Sequence, residues 1–233
     1  MIPIKDDAPR STTPYVNYFL IGLNVFIFLY ELSLGPRTLR AFVADFGFVP
    51  DNVNRWLSGD LPMDAAIVPL FSSMFLHASW LHLIFNMWAL AVFGDNIEDH
   101  VGHFRYLMFY LLSGLGADLM HYAFNATSQV PSVGASGAIA GVMGAYFLLF
   151  PSARVLTLVP LFIYFTFIRL PAWLVLGYWF LVQILSGAAT AITYSHQTST
   201  GVAVWAHVGG FITGLGLIKI FPARQIYYSP EMS

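Results

Sequence analysis

Apolar side chains in this chain come in long unbroken runs, not on one stripe of a helix or at alternate positions of a strand, and short polar turns separate them. A helix crossing roughly 30 Å of hydrocarbon needs about 20 such residues. Positions 15–34 predict a first span, with Asn17, Asn24 and Glu31 as tolerable polar interruptions. Positions 79–93 predict a second, ended by Gly94-Asp95-Asn96-Ile97-Glu98-Asp99; positions 104–124 a third; and 136–150 a fourth, stopped by Pro151. The fifth is 171–192, and the sixth, after a polar turn at 195–201, is 202–220. The connection 35–69 carries Arg37, Arg40, Asp45, Asp51, Arg55, Asp60 and Asp64 among scattered aromatics. It is too charged to span and too apolar for free coil, which predicts a loop on or partly in the interface. Segment 155–168, flanked by Arg154 and Arg169 and containing Pro160, is too short to cross. It predicts an interfacial or re-entrant piece.

The pattern therefore predicts an all-α membrane protein with six transmembrane helices: one polytopic domain at 15–220 between a tail at 1–14 and another at 221–233. Composition agrees, since 9% of residues are charged and 58% hydrophobic, against about a quarter charged in an ordinary soluble domain. The absence of cysteine excludes disulfides, thiolate chemistry and a cysteine zinc site. A net charge of −2 gives no case for nucleic acid. The polar first fourteen residues fit neither a secretory signal nor a transit peptide. Six spans put both termini on one side. That side holds Lys5, Arg10, Arg105, Arg154, Arg169, Lys219 and Arg224, the other only Arg37, Arg40 and Arg55. By the positive-inside rule both termini are cytoplasmic, in a multi-pass protein of the cell (inner or plasma) membrane.

With that topology the second, fourth and sixth spans begin at the outer face, and their polar residues lie near those beginnings: His77, His82 and Asn86, then Ser136, then His207. Pro131 and Gly134 mark a loop, so Ser136 falls at a helix N-terminus, where backbone N–H groups lack helical partners and can face an oxyanion. The fourth span is about 22 Å long at 1.5 Å per residue, which sinks its start some 8 Å below the outer surface. His207 lies about 9 Å down from Gly201 by the same arithmetic. A serine reaches a histidine only if their helices approach closely. Gly137, Gly141 and Gly144 on the fourth span and Gly210 and Gly214 on the sixth permit this. Taken alone, those glycines also fit a packing seam with no chemistry. His82 and Asn86, at i and i+4, share a face from which both can donate toward a tetrahedral intermediate. His77 precedes the hydrocarbon and reads as an interfacial anchor.

Three motifs in order, His82-x-x-x-Asn86, Gly134-x-Ser136-Gly137 and Ala206-His207-x-x-Gly210-x-x-x-Gly214, resemble those of the rhomboid intramembrane serine proteases of bacterial type, over about 15–220. The resemblance implies a six-helix rhomboid-like bundle that cleaves transmembrane segments of membrane proteins through a Ser136–His207 dyad. His82, Asn86 and the Ser136 backbone N–H would hold the oxyanion, with no metal and no cofactor; the partners would be transmembrane substrates and the lipid bilayer. No carboxylate is placed to complete a triad. The chain departs from the family at Ala140, where many members carry an aromatic that stacks on the histidine, and at Arg55-Trp56, the reverse of a Trp-Arg pair in one branch. The irregular stretch 125–135 is tolerable at membrane depth only beside water or under protein.

Other classes fit less well. Gly134-x-Ser136-x-Ala138 lacks the second glycine of a soluble-hydrolase elbow, and His-Glu-x-x-His is absent. A transporter lacks repeat symmetry and an acidic relay beyond Glu31 and Asp118. The alternative of a different class is a non-proteolytic rhomboid-like module that binds transmembrane helices for quality control.

Overall fold

The computed structural model describes residues 1–161, 164–193 and 204–224; the turn at 195–201, the first residues of the sixth span and most of the C-terminal tail lie outside them. The described chain is mostly helical. Strand β1 (Ile2–Lys5) precedes α1 (Tyr15–Ser33), which is followed by four short helices, α2 (Pro36–Phe46), α3 (Pro50–Leu57), α4 (Met63–Ile67) and α5 (Pro69–Ser72). Long helices α6 (Trp80–Val101) and α7 (His103–Asn125) come next, then α8 (Ser136–Leu149), strands β2 (Arg154–Leu161) and β3 (Tyr164–Pro171), α9 (Ala172–Thr193) and α10 (Val204–Leu217).

Helices α1 and α9 are each long and apolar enough to cross a bilayer. The run Met63–Phe75 with α6 also qualifies, bent by 78° at its break, whereas α8 and α10 are shorter apolar helices. Their shortness follows from position. Every residue of α8 from Gly137 to Tyr146 is buried, so this helix meets protein and not lipid along most of its length and need not span the hydrocarbon by itself. Two or three of the six expected spans are thus recognisable by length and hydropathy.

Chemistry at the ends of the helices explains several boundaries. Pro36, Pro50 and Pro69 open α2, α3 and α5 at positions where a missing N–H costs nothing. Ser79 caps α6 by accepting the His82 N–H at 3.2 Å. Gly102, at φ +87°, ends α6 and starts α7 in one residue, a conformation that an L side chain disfavours.

Two sequence expectations change. The second span does not end at Gly94: α6 continues to Val101 because its polar residues find partners in the N-terminal segment. Arg10 pairs with Asp95 at 2.9 Å, Ser11 donates to Asp99 at 2.9 Å, and Glu98 accepts the N–H groups of Val16 and Asn17 at 2.9 and 2.7 Å. The segment 155–168, expected as an interfacial or re-entrant piece, is extended. It forms an antiparallel hairpin of β2 and β3, with Arg154 opposite Pro171 and Leu161 opposite Tyr164, and β1 adds a third strand on the β2 edge. The strands run antiparallel, so the chain leaves β3 at the end of the hairpin where it entered β2. The connection 35–69 is the run of short helices α2 to α4; α2 buries none of its residues, as an interfacial helix would.

The core lies around α8, which α6, α7, α9 and α10 surround. Glycines set the closest approaches. A Cβ on Gly210 would run into the Gly137 carbonyl, one on Gly214 into the Gly141 carbonyl, and one on Gly144 into the Phe211 carbonyl. Helices α8 and α10 therefore meet backbone to backbone.

Candidate active site

Ser136 is the first residue of α8, and its first turn contains N–H groups that precede the first helical hydrogen bond, from Ile139 N–H to the Ala135 carbonyl at 3.0 Å. The loop before it is irregular, and its backbone is bonded to the connection 35–69. Phe48 and Ser132 exchange backbone hydrogen bonds at 2.9 and 2.8 Å, Asp51 N–H donates to the Ser128 carbonyl at 3.0 Å, and Asn54 Nδ2 donates to the Ala126 carbonyl at 2.7 Å. The connection 35–69 thus holds the stretch 125–135 through three sets of hydrogen bonds. Gly134 anchors the loop from the other side, its N–H donating to the Ser73 carbonyl at 2.9 Å.

His207 projects from α10 one turn into that helix and is 8% exposed. Its Nε2 lies 2.8 Å from Ser136 Oγ. Two residues 71 positions apart are brought within hydrogen-bond distance by the glycine seam. The other ring nitrogen, Nδ1, lies 2.9 Å from Gln183 Oε1 on α9. A carbonyl oxygen only accepts, so this orientation of the amide calls for the proton on Nδ1, which leaves the Nε2 lone pair to the Ser136 hydroxyl. That is the tautomer a general base needs. The Trp179 ring, one helical turn before Gln183, is centred 5.8 Å from the imidazole and tilted 44° to it. Neither residue is singled out by the sequence pattern. Gln183 stands out only as an amide in an otherwise apolar span, and a helix of that kind does not reveal which face it turns inward.

On the opposite wall, His82 closes over the loop. A Cβ at Gly134 would fall 2.6 Å from His82 Cε1 and 2.7 Å from its Nε2, and Gly134 adopts φ +132°. Asn86 Nδ2 donates to His77 Nε2 at 3.1 Å, and its second N–H has no acceptor among the described residues. His77 is not the interfacial anchor that its place in the sequence predicts: it is 3% exposed, with its ring centre 5.1 Å from that of His82 and its backbone N–H on Glu31 Oε2 at 3.1 Å. Burial wins because both Asn86 and Glu31 offer it partners inside the protein. The residues expected to converge, His82, Asn86, Ser136 and His207, do gather about the 134–136 turn. Of the glycines expected to pack helices, Gly137, Gly141, Gly210 and Gly214 line the seam beside it, whereas Gly134 lies in the loop before α8 and meets His82 instead of another helix backbone.

Comparison with known proteins gives the same picture from a separate direction. A family model described as "Rhomboid domain" matches residues 64–224. RHOMBOID-like protein 6, mitochondrial, from Arabidopsis thaliana is 31% identical over 162 residues, 67% of this chain and 45% of its own. RHOMBOID-like protein 5 from the same plant is 40% identical over 143 residues, 60% of this chain and 42% of its own. Rhomboid protease GluP of Bacillus subtilis (strain 168) is 30% identical over 154 residues, 61% of this chain and 27% of its own. The chain spans less than half the length of these relatives. With the domain match covering well over half of its 233 residues and the motif residues gathered in one place, this membrane protein belongs to the rhomboid family.

Proposed function

We propose that the chain is an intramembrane serine endopeptidase that cuts transmembrane segments of other membrane proteins, working as a bundle of six spans in the cell membrane with both termini in the cytoplasm. The orientation follows from the excess of Lys and Arg on the side of the termini. The catalytic assignment is carried by one observation, the 2.8 Å contact between Ser136 Oγ and His207 Nε2.

In the proposed reaction Ser136 Oγ attacks the scissile carbonyl carbon while its proton passes to His207 Nε2. The carbonyl oxygen becomes an oxyanion that accepts hydrogen bonds from the Ser136 N–H at the head of α8, from His82 and from the free N–H of Asn86. Collapse expels the amine, which takes the proton back from His207, and leaves the acyl group on Ser136. Water then attacks the ester with His207 again as base, and Ser136 is regenerated. Protein groups and water suffice for every step.

The test uses the full chain in liposomes with a single-span reporter. Ser136→Ala and His207→Ala each reduce cleavage by about a thousandfold or more, while a fluorophosphonate labels the wild-type chain at Ser136. Cleavage retained in either variant defeats the assignment, and a wild-type chain that holds the reporter helix without cutting it would favour a binding module. Asn86→Ala slows turnover by less, about tenfold to a hundredfold, since two donors remain.

A further inference from the structure

We propose that Gln183 is the positioning residue of the dyad: its side-chain carbonyl fixes the Nδ1–H tautomer and the ring orientation of His207, the task a carboxylate performs in a serine triad. The proposal rests on the proteolytic reading above, yet its structural content is independent of it.

Three observations carry it. First, His207 Nδ1 has Gln183 Oε1 at 2.9 Å, and among the described residues no carboxylate hydrogen-bonds to the ring. Second, Gln183 lies on the inward stripe of α9. Trp179, one turn earlier, meets the His207 ring, and Gly187, one turn later, passes Trp205 so closely that a Cβ there would lie 3.1 Å from the indole. Phe180 stacks on Phe211 at 4.3 Å, so α9 is seated on α10 on both sides of the amide. The outward residues Trp173, Tyr178, Leu181 and Leu185 are all at least half exposed, as befits a lipid-facing side. Third, an amide in an apolar span is costly unless bonded. The imidazole is the partner that α10 brings to this one.

The chemistry follows from the choice of an amide. An imidazole free in its tautomer spends part of its time with the proton on Nε2, where it cannot take the serine proton. A neutral acceptor on Nδ1 suppresses that form without placing a negative charge in a low-dielectric site, and it stabilises the imidazolium less than a carboxylate would. The serine–histidine pair is then poised by a helix that contributes no group to the reacting atoms.

The experiment uses the full chain in micelles with 15N-labelled histidine, the His207 signal being assigned by its loss in His207→Ala. In the wild type the proton resides on Nδ1. In Gln183→Leu, which keeps the bulk and apolar fit of the span, the spectrum moves toward the Nε2–H form, and reporter cleavage falls about tenfold to a hundredfold in kcat with KM within about twofold. Gln183→Glu restores an acceptor but adds charge, so activity returns at high pH and the acid limb of kcat/KM moves up by about one pH unit. An unchanged tautomer in Gln183→Leu, or a wild-type kcat and pH profile in that variant, overturns the proposal. If the tautomer responds as stated while even the wild type cuts no reporter, the histidine–glutamine pairing stands and the proteolytic reading falls.

Discussion

Gly134 shows how much a single residue can constrain. Its φ of +132° lies where L side chains are strained, and the space beside its Cα is filled by the imidazole of His82. Gly134→Ala therefore meets two costs at once, backbone strain of about 1–3 kcal/mol and displacement of the His82 ring packed against the 134–136 turn. The expected result is a folded protein whose rate of fluorophosphonate labelling at Ser136 drops at least about tenfold; a variant that labels at the wild-type rate would show that His82 moves aside without consequence. Ser136, His207, His82 and Asn86 are legible in the sequence because a hydroxyl, two imidazoles and an amide are conspicuous in apolar runs. His77 is equally conspicuous, but its burial is not, because the partners that bury it are remote in the chain. Gln183 is harder still to read, since its importance lies in what it faces and no spacing encodes that.

At the level of elements, α1 and the α8–α10 pair show two ways of docking helices without a hydrophobic drive. The buried residues of α1 are Asn17, Leu20, Asn24, Phe28 and Glu31, a stripe on which the polar side chains point inward. Asn17 donates to the Leu90 carbonyl at 3.0 Å and accepts from the Tyr106 hydroxyl at 2.8 Å, and Glu31 accepts from His77. What the hydropathy pattern treats as interruptions is the docking face. Helices α8 and α10 instead use the absence of side chains. Gly214→Leu forces the Gly141 backbone away, an overpacking that destabilises by about 1–3 kcal/mol or more, and it stretches a Ser136–His207 contact that tolerates little. Gly216, two residues on, faces open space: among the described residues, nothing beyond its own stretch of helix lies within 4 Å of where a Cβ would sit. Gly216→Ala is expected to keep wild-type activity and to gain up to about 1 kcal/mol from helix propensity. Thermal unfolding in micelles together with labelling of Ser136 separates the two, and equal behaviour of both variants would remove the seam from the explanation.

Across the whole molecule, the N-terminal segment ties α6, α8 and β2 together at one end. Strand β1 pairs with β2, the Pro3 carbonyl accepts the Trp88 indole N–H at 2.7 Å, Asp7 accepts the Arg154 N–H at 2.7 Å, and the Tyr146 hydroxyl donates to Asp6. Burial raises the pKa of the Asp6 carboxyl above its ordinary value, against the opposing effect of the Tyr146 hydrogen bond. The folded state then holds this proton more tightly than the unfolded state, so Asp6 takes stability away as pH rises from the unfolded carboxylate value through the raised folded one. Asp6→Asn, which still accepts from Tyr146, is accordingly expected to be more thermostable relative to wild type at pH 7 than at pH 4. Melting curves at the two pH values check this, and a difference between the chains that grows on acidification contradicts it.

The sequence alone determined that this is a membrane protein, where most of its helices run, and which four side chains belong together, because hydrophobic length and the cost of polar groups in lipid are properties of the chain itself. Only the tertiary structure decided the rest. That the short piece 155–168 is extended depended on β2 and β3 pairing with each other and on β1 arriving from about 150 residues away to pair with β2. How far α6 extends depended on Arg10, Ser11 and the start of α1 satisfying Asp95, Asp99 and Glu98. Which group holds His207 depended on how α9 is turned against α10. In each case a polar group is satisfied by a distant partner, and a one-dimensional pattern records that the need exists without recording who meets it.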